Sequence, residues 1–358
     1  MFSNNKLYNE DIAAIASCAI EWERLMNTNI LITGATGLIG TAFVDALMYR
    51  NAVYKDNITV YAMSRNIEKA RERFGDYFNN PRFIFIQRDV QSIQKEKKEK
   101  KIDFIIHGAS NTHPLAYSTD PINTILLSVL GTKNILDLAV SQKVKRAVFL
   151  STVEIYGENR GDVERFDEAY CGYINCNTLR AGYPEGKRAA EALCQAYISE
   201  KESDIVIARC SRVYGPTMST DDSKAVAQFL RNAAKNENII LKSEGTQRYS
   251  FCYVADVCVA VLFLLLNGKN GEAYNIADSG ERASLYEIAE ILSNYVNKQI
   301  VYDIPALAEA KGYSKATKAV LDCSKIGELG WKSAFSIKEG LVRTLEIMKS
   351  RGENDRRY

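Results

Sequence analysis

From Asn29 onward, short unbroken apolar runs alternate with stretches whose apolar residues recur every three or four positions. The runs are NILIT (29–33), ITVYAM (58–63), FIFIQ (83–87), FIIHGAS (104–110), RAVFLST (146–152) and DIVIARC (204–210). Helical spacing fills about 38–50, 67–78 and 123–142, and resumes after Tyr183. A strand covered on both faces needs no polar alternation, so this rhythm predicts a doubly wound parallel sheet with crossover helices. Ahead of it, Ile12, Ile15, Ala16, Ile20 and Leu25 predict an amphipathic helix within 10–27, packed on the domain before the first strand. Beyond 216 the turns SEGTQ, NGKNGE and ADSGE break the chain into smaller α and β pieces.

The expected organisation is a helical extension (1–27), a dinucleotide-binding domain (28–212 and about 249–268) and a substrate-binding lobe (213–248 and 269–358). Its 358 residues, 46% of them hydrophobic, suffice for such a two-lobed core. The net charge is +2 with the signs interspersed, which argues against a nucleic-acid partner. The charge run KEKKEKK (95–101) mixes signs and reads as a solvated helix end. The longest apolar run, CVAVLFLLL (258–266), is far short of the roughly 20 residues of a membrane span, and the N-terminus lacks a secretory pattern. Eight cysteines without CxxC spacing, and only two histidines, His107 and His113, fit free thiols in the cytoplasm and no metal site. Both histidines read as structural or loop residues.

The segment NILITGATGLIGTAF sets Gly34, Gly37 and Gly40 between a strand and a helix. Glycines there let backbone N–H groups and a helix N-terminus approach a pyrophosphate, so Gly34, Thr36, Gly37, Leu38, Ile39 and Gly40 are expected to bind a dinucleotide on a Rossmann-type α/β fold. At the end of the second strand stand Ser64 and Arg65, where a ribose-binding carboxylate is usual. A guanidinium suits a 2′-phosphate, which leaves NAD and NADP both open. Asp89 and Val90, after the third strand, are expected at the adenine.

Six motifs in order, GATGLIG (34–40), IIHGAS (105–110), STVEIYG (151–157), YPEGK (183–187), VYGP (213–216) and YNIAD (274–278), resemble the extended short-chain dehydrogenase/reductase superfamily. Within it the chain resembles the nucleotide-sugar epimerases, dehydratases and decarboxylases, from about 29 to LGW at 329–331. The stretch NCNTLRAGYPEGKRAAEALCQAY (175–197) is most similar to UDP-glucuronate decarboxylases, and points to Arg180. The resemblance implies a nucleotide-diphosphate sugar substrate, a homodimer formed through a helix pair, and Gly108, Ala109 and Ser110 beside the cofactor. It has departures: Ser128 and Arg212 replace usual asparagines, and Tyr249 in QRYSF replaces a usual arginine.

A tyrosine titrates near pH ~10, so Tyr183 as a base needs stabilisation of its phenolate; Lys187 one helical turn on, with the nicotinamide's positive ring, is expected to give it. Thr152 is expected to orient the sugar C4 hydroxyl toward Tyr183. A second YxxxK, Tyr197 and Lys201, shows that the spacing alone is not diagnostic. A 4,6-dehydratase would use adjacent acidic residues after the threonine, where this chain has Val153 and Glu154. Valine donates no proton, and a 4-epimerase gives Glu154 no task, so a decarboxylase using Glu154 and Arg180 at C5 is the leading reading. Dehydratase, epimerase and a non-catalytic dinucleotide-binding sensor are the alternatives. Arg212 and Arg248 pair with the diphosphate or form structural ion pairs; Tyr249 is expected near the substrate.

Overall fold

The protein is described by a computed structural model covering residues 5–92, 101–112, 117, 119–278, 282–304 and 317–355, the last five as backbone only. His113 and residues 95–100 of the charged run lie outside these residues. Six strands appear where the apolar runs predict them: β1 Asn29–Thr33, β2 Thr59–Ser64, β3 Phe83–Gln87, β4 Phe104–His107, β5 Arg146–Thr152 and β6 Ile205–Cys210. Three short strands follow, β7 Arg212–Tyr214, β8 Ile239–Leu241 and β9 Arg248–Tyr253, and then β10 Ala273–Ile276. The main sheet runs β10-β6-β5-β4-β1-β2-β3, every pair parallel. Its order reverses between β1 and β4, which opens a crevice at the strand C-termini.

The helices are α1 Lys6–Ala16, α2 Leu38–Val53, α3 Ile67–Phe74, α4 Pro121–Gln142, α5 Gly182–Lys201, α6 Ala225–Ala234, α7 Val254–Asn267, α8 Leu285–Val296, α9 Ser324–Glu328 and α10 Ile337–Asp355. Alternate strand residues feed two cores, which is why the strands read as continuous apolar runs. Ile30, Ile32, Val60 and Val206 pack with Phe43 and Leu47 of α2 and Val261 of α7. Leu31, Tyr61, Ile105 and Phe149 pack with Leu127 and Ile135 of α4 and Cys194 of α5. By length and composition α4 could cross a membrane, but here it is the crossover helix paired with α5.

A smaller sheet is centred on β9, flanked in parallel by β7 and β13 (Lys318–Ala319) and antiparallel by β11 (Arg282–Ser284). Strand β8 pairs separately with β12 (Ile300–Tyr302). The expected boundaries shift accordingly. Within 249–268 only α7 lies on the main sheet, because β9 belongs to the smaller one; β10, expected in the substrate lobe, is the main sheet's edge strand.

The N-terminal helix ends at Ala16, earlier than the apolar spacing over 10–27 suggests. Leu25 is fully buried from a separate 3-10 turn, so burial kept its place in the pattern without helix continuity. Helix α1 joins both lobes: Asp11 accepts from Tyr253 and from Arg343 of α10, while Tyr8 donates to Asp45 of α2.

Candidate active site

The loop after β1 forms one end of a cavity of about 590 Å³ that runs to the C-termini of β5 and β7. Gly34 has φ +70°, and a Cβ there would lie 2.8 Å from the Gly108 carbonyl oxygen. A Cβ at Gly40 would lie 2.4 Å from the Gly34 carbonyl, so both positions require glycine for space. Gly37 is the N-cap of α2 and offers no side chain, so the first N–H groups of that helix face the cavity. This uncapped, Cβ-free cradle fits a dinucleotide pyrophosphate. Under the floor, Thr33 Oγ1 accepts from the amides of Gly108 and Ala109, each at 3.2 Å, and bonds His107 Nδ1 at 2.7 Å. His107 is buried and its pKa is pushed down to about 3, by desolvation first and then by the Lys187 charge. It is a neutral packing group, as a strand-end role implies.

Thr36, Leu38, Ile39, Ser64, Arg65, Asp89, Val90 and Ser110 also line the cavity. Thr36 and Ser64 hydroxyls bond at 2.8 Å, and the half-exposed Arg65 lies 3.8 Å from the Asp89 carboxylate. Arg65 therefore has a protein partner of its own at the end expected to receive the adenosine.

Thr152 closes β5 and caps the turn Val153–Tyr156, accepting from the Glu154 amide at 3.3 Å. Tyr183 stands in the first turn of α5, buried, hydrogen-bonded to Thr152 and to Tyr117. Its ring stacks on Tyr117 with centroids 4.7 Å apart. Burial raises the Tyr183 pKa well above its ordinary value; the Thr152 bond opposes this and the Glu154 charge adds to it. Lys187 is buried too, with its pKa lowered to about 8 by desolvation. Its Nζ donates to the Leu150 carbonyl at 2.8 Å and lies 4.6 Å from the Phe149 ring centroid. Desolvation thus acts on both groups, and the Lys187 ammonium donates to a backbone carbonyl. A phenolate at this site requires further positive charge, which a nicotinamide ring carries.

Glu154 is held from two sides. Arg180 Nη2 donates to Oε2 at 2.8 Å, and Arg212 Nη1 lies 3.7 Å from Oε1. The Arg212 guanidinium lies 3.7 Å from the centroid of the Tyr249 ring. Val153 is buried in the core. Arg248, one residue before Tyr249 on β9, points the other way; it bonds Glu287 at 3.1 Å and lies outside the cavity lining, so the diphosphate role expected of it has no geometric support. Ser128 is buried on α4 and donates to the Thr124 carbonyl. The second pair separates as well: Tyr197 donates to Asp137 at 2.7 Å, outside the lining.

Sequence reasoning missed Tyr117, Ser211 and Ser223, which all line the cavity. Tyr117 lies ahead of α4, where no periodicity or motif in the sequence marks it; Ser211 Oγ and Ser223 Oγ are buried without a hydrogen-bond partner. Among the described residues no cluster of His, Cys, Asp or Glu is arranged to hold a metal.

A parallel sheet with a glycine cradle at its switch point, and a Thr–Tyr–Lys set at the far end of the same cavity, define a dinucleotide-dependent enzyme of the short-chain dehydrogenase/reductase type. The chain belongs to the NAD dependent epimerase/dehydratase family, whose sequence profile matches residues 30–277. It is 34% identical over 316 residues to UDP-glucuronic acid decarboxylase 3 of Arabidopsis thaliana, covering 88% of this chain and 87% of that one. With UDP-glucuronic acid decarboxylase 1 of Xenopus tropicalis it shares 30% over 327 residues, 91% and 73% of the two chains. Among solved structures, the dTDP-glucose 4,6-dehydratase DesIV of Streptomyces venezuelae, with NAD bound, superposes with a TM-score of 0.76 at 24% identity, over 91% and 98% of the chains. The UDP-glucuronic acid 4-epimerase of Bacillus cereus gives 0.77 at 22%, over 90% and 100%. These two likenesses support the fold.

Proposed function

We propose that this protein decarboxylates a nucleotide-diphosphate uronate, UDP-glucuronate being the first candidate, through transient oxidation at C4. The observation that carries the reading is the Glu154 carboxylate bonded to Arg180 and set two residues beyond Thr152, in a chain similar to UDP-glucuronic acid decarboxylases. NAD is the proposed cofactor, held by the cradle of Gly34, Gly37 and Gly40 and by Lys187. When bound, it supplies the acceptor and later the donor of the C4 hydride.

Tyr183 takes the proton of the C4 hydroxyl, which Thr152 orients, and returns it at the end. Oxidation at C4 makes the C5 carboxylate a β-keto acid, which loses CO₂ and leaves an enolate. Glu154 and Arg180 orient that enolate, and C5 takes up one proton from solvent, relayed through the Glu154 carboxylate. Val153, being apolar, leaves one carboxyl where a dehydratase requires two, which favours this outcome over loss of water.

A homodimer and a cytoplasmic location complete the proposal. Ile122, Ile125, Leu126 and Leu130 form an exposed apolar stripe on α4, with the exposed Leu179 before α5, a surface suited to a second copy. Eight unpaired cysteines support a reducing compartment. The function is tested by incubating the protein and NAD with a panel of nucleotide-diphosphate sugars and uronates, reading released CO₂ and product mass. The reading expects CO₂ and a pentose product from a uronate; loss of water from a neutral hexose with no CO₂ from any uronate would overturn it.

A further inference from the structure

Arg212 is placed unlike the other cations of the cavity. It opens β7, and Tyr249 lies on the parallel neighbour β9, two residues before the Arg212 partner Phe251. That diagonal puts both side chains on one face, and the guanidinium rests 3.7 Å from the ring centroid, a cation–π contact. Its approach to Glu154 Oε1, 3.7 Å, is too long for a hydrogen bond, whereas Arg180 bonds the other carboxylate oxygen at 2.8 Å. Arg212 Nε is buried and has no hydrogen-bond partner. The ring contact and the longer ion pair with Glu154 together hold the guanidinium, and its Nε is left without a hydrogen-bond partner. Two guanidiniums against one carboxylate also leave one positive charge in the cluster.

We propose that Arg212, held flat against Tyr249, is the residue that selects a carboxylate on the sugar. The inference rests on the uronate reading above. A sugar whose C4 hydroxyl meets Thr152 and Tyr183 carries its C5 carboxylate two bonds from C4, beside the Glu154 cluster. Its diphosphate, on C1, lies across the ring and away from that cluster. A guanidinium matches a carboxylate with two parallel N–H donors, which a neutral CH₂OH group cannot exploit. Tyr249 acts through Arg212 as a positioning residue.

The test compares UDP-glucuronate with UDP-glucose, which differ only at C6, by equilibrium binding to the NAD-loaded protein in a Tyr183→Phe background that halts turnover. The parent is expected to prefer the uronate. Adding Arg212→Met should reduce that preference at least about tenfold while UDP-glucose affinity stays within about twofold. Arg212→Lys, which keeps the charge without the planar fork, should retain part of the preference; Tyr249→Phe should retain nearly all and Tyr249→Leu should lose several-fold. A preference that survives Arg212→Met, or equal weakening of both ligands as expected of a diphosphate contact, overturns the inference alone. A parent with no preference overturns the uronate reading and the inference with it.

Discussion

At the glycine loop the cavity wall is backbone, contributed by one continuous stretch from β1 into α2; at Glu154 it is side chains drawn from four separate elements. The first end works through amide groups and the space left by missing Cβ atoms. The second works through charged and aromatic side chains on the turn after β5, the turn before α5, and the strands β7 and β9. A backbone site is carried by a short motif and changes little with the residues around it. A side-chain cluster is set by which elements the fold brings together, so single substitutions can redirect its chemistry.

Tyr183→Phe breaks the chemical end while leaving the cradle intact, and has the largest expected effect. The turnover number should fall about 10²–10⁴-fold, the range of a lost general base, with NAD affinity little changed. Steady-state kinetics together with cofactor titration check it; a fall of less than tenfold would remove Tyr183 from the proton-transfer role.

The floor of the cradle is expected to be acid-sensitive. His107 binds fewer protons folded, with a pKa of about 3, than unfolded, near 6.5. Stability should therefore decline as pH falls from 6.5 toward 3, by roughly 5 kcal/mol across the full window. Asp45 and Asp256 act in the opposite direction, since burial raises both to about 6 and their contribution grows as pH falls from 6 toward 4. Urea unfolding of the wild type and His107→Gln over this range separates the terms. If the difference between the two proteins does not vary with pH, the buried neutral histidine is ruled out.

Gly34→Ala tests the backbone end directly. A methyl group at φ +70°, 2.8 Å from a carbonyl oxygen, should cost about 1–3 kcal/mol and weaken NAD binding, because the loop must shift. Thermal unfolding and cofactor titration report both effects, and a variant matching the wild type in both would mean that the cradle is not tight. The smallest effect is expected for Arg248→Ala. An exposed pair with Glu287 contributes about 0–1 kcal/mol, and turnover should stay within about twofold because the side chain faces away from the cavity.

Much of the fold was legible because periodicity is a local property. The six predicted strands of the main sheet match the structure closely, since burial on both faces leaves unbroken apolar runs. The helix expected within 10–27 stops at Ala16, and Leu25 is buried from a separate turn, which periodicity cannot distinguish from a continuing helix. The edge strand Ala273–Ile276 was assigned to the other lobe because a short run carries no sign of the sheet it will join.

The site divides in the same way. Every expected residue except Arg248 lines one cavity; Arg248 takes its ion-pair alternative, with Glu287, because the alternation of β9 turns Tyr249 inward and its predecessor outward. Tyr117, stacked on Tyr183, had no local signal at all. The sequence by itself determined the sheet, the glycine cradle and the Thr152–Tyr183–Lys187 set, because each rests on short-range spacing or on a residue type that only one backbone conformation tolerates. Tertiary structure alone decided that Arg248 faces away from the cavity, that burial raises the Tyr183 pKa, and that Arg212 lies on Tyr249 beside Glu154. Those relations depend on distance and desolvation between elements far apart in the chain, which no local pattern encodes.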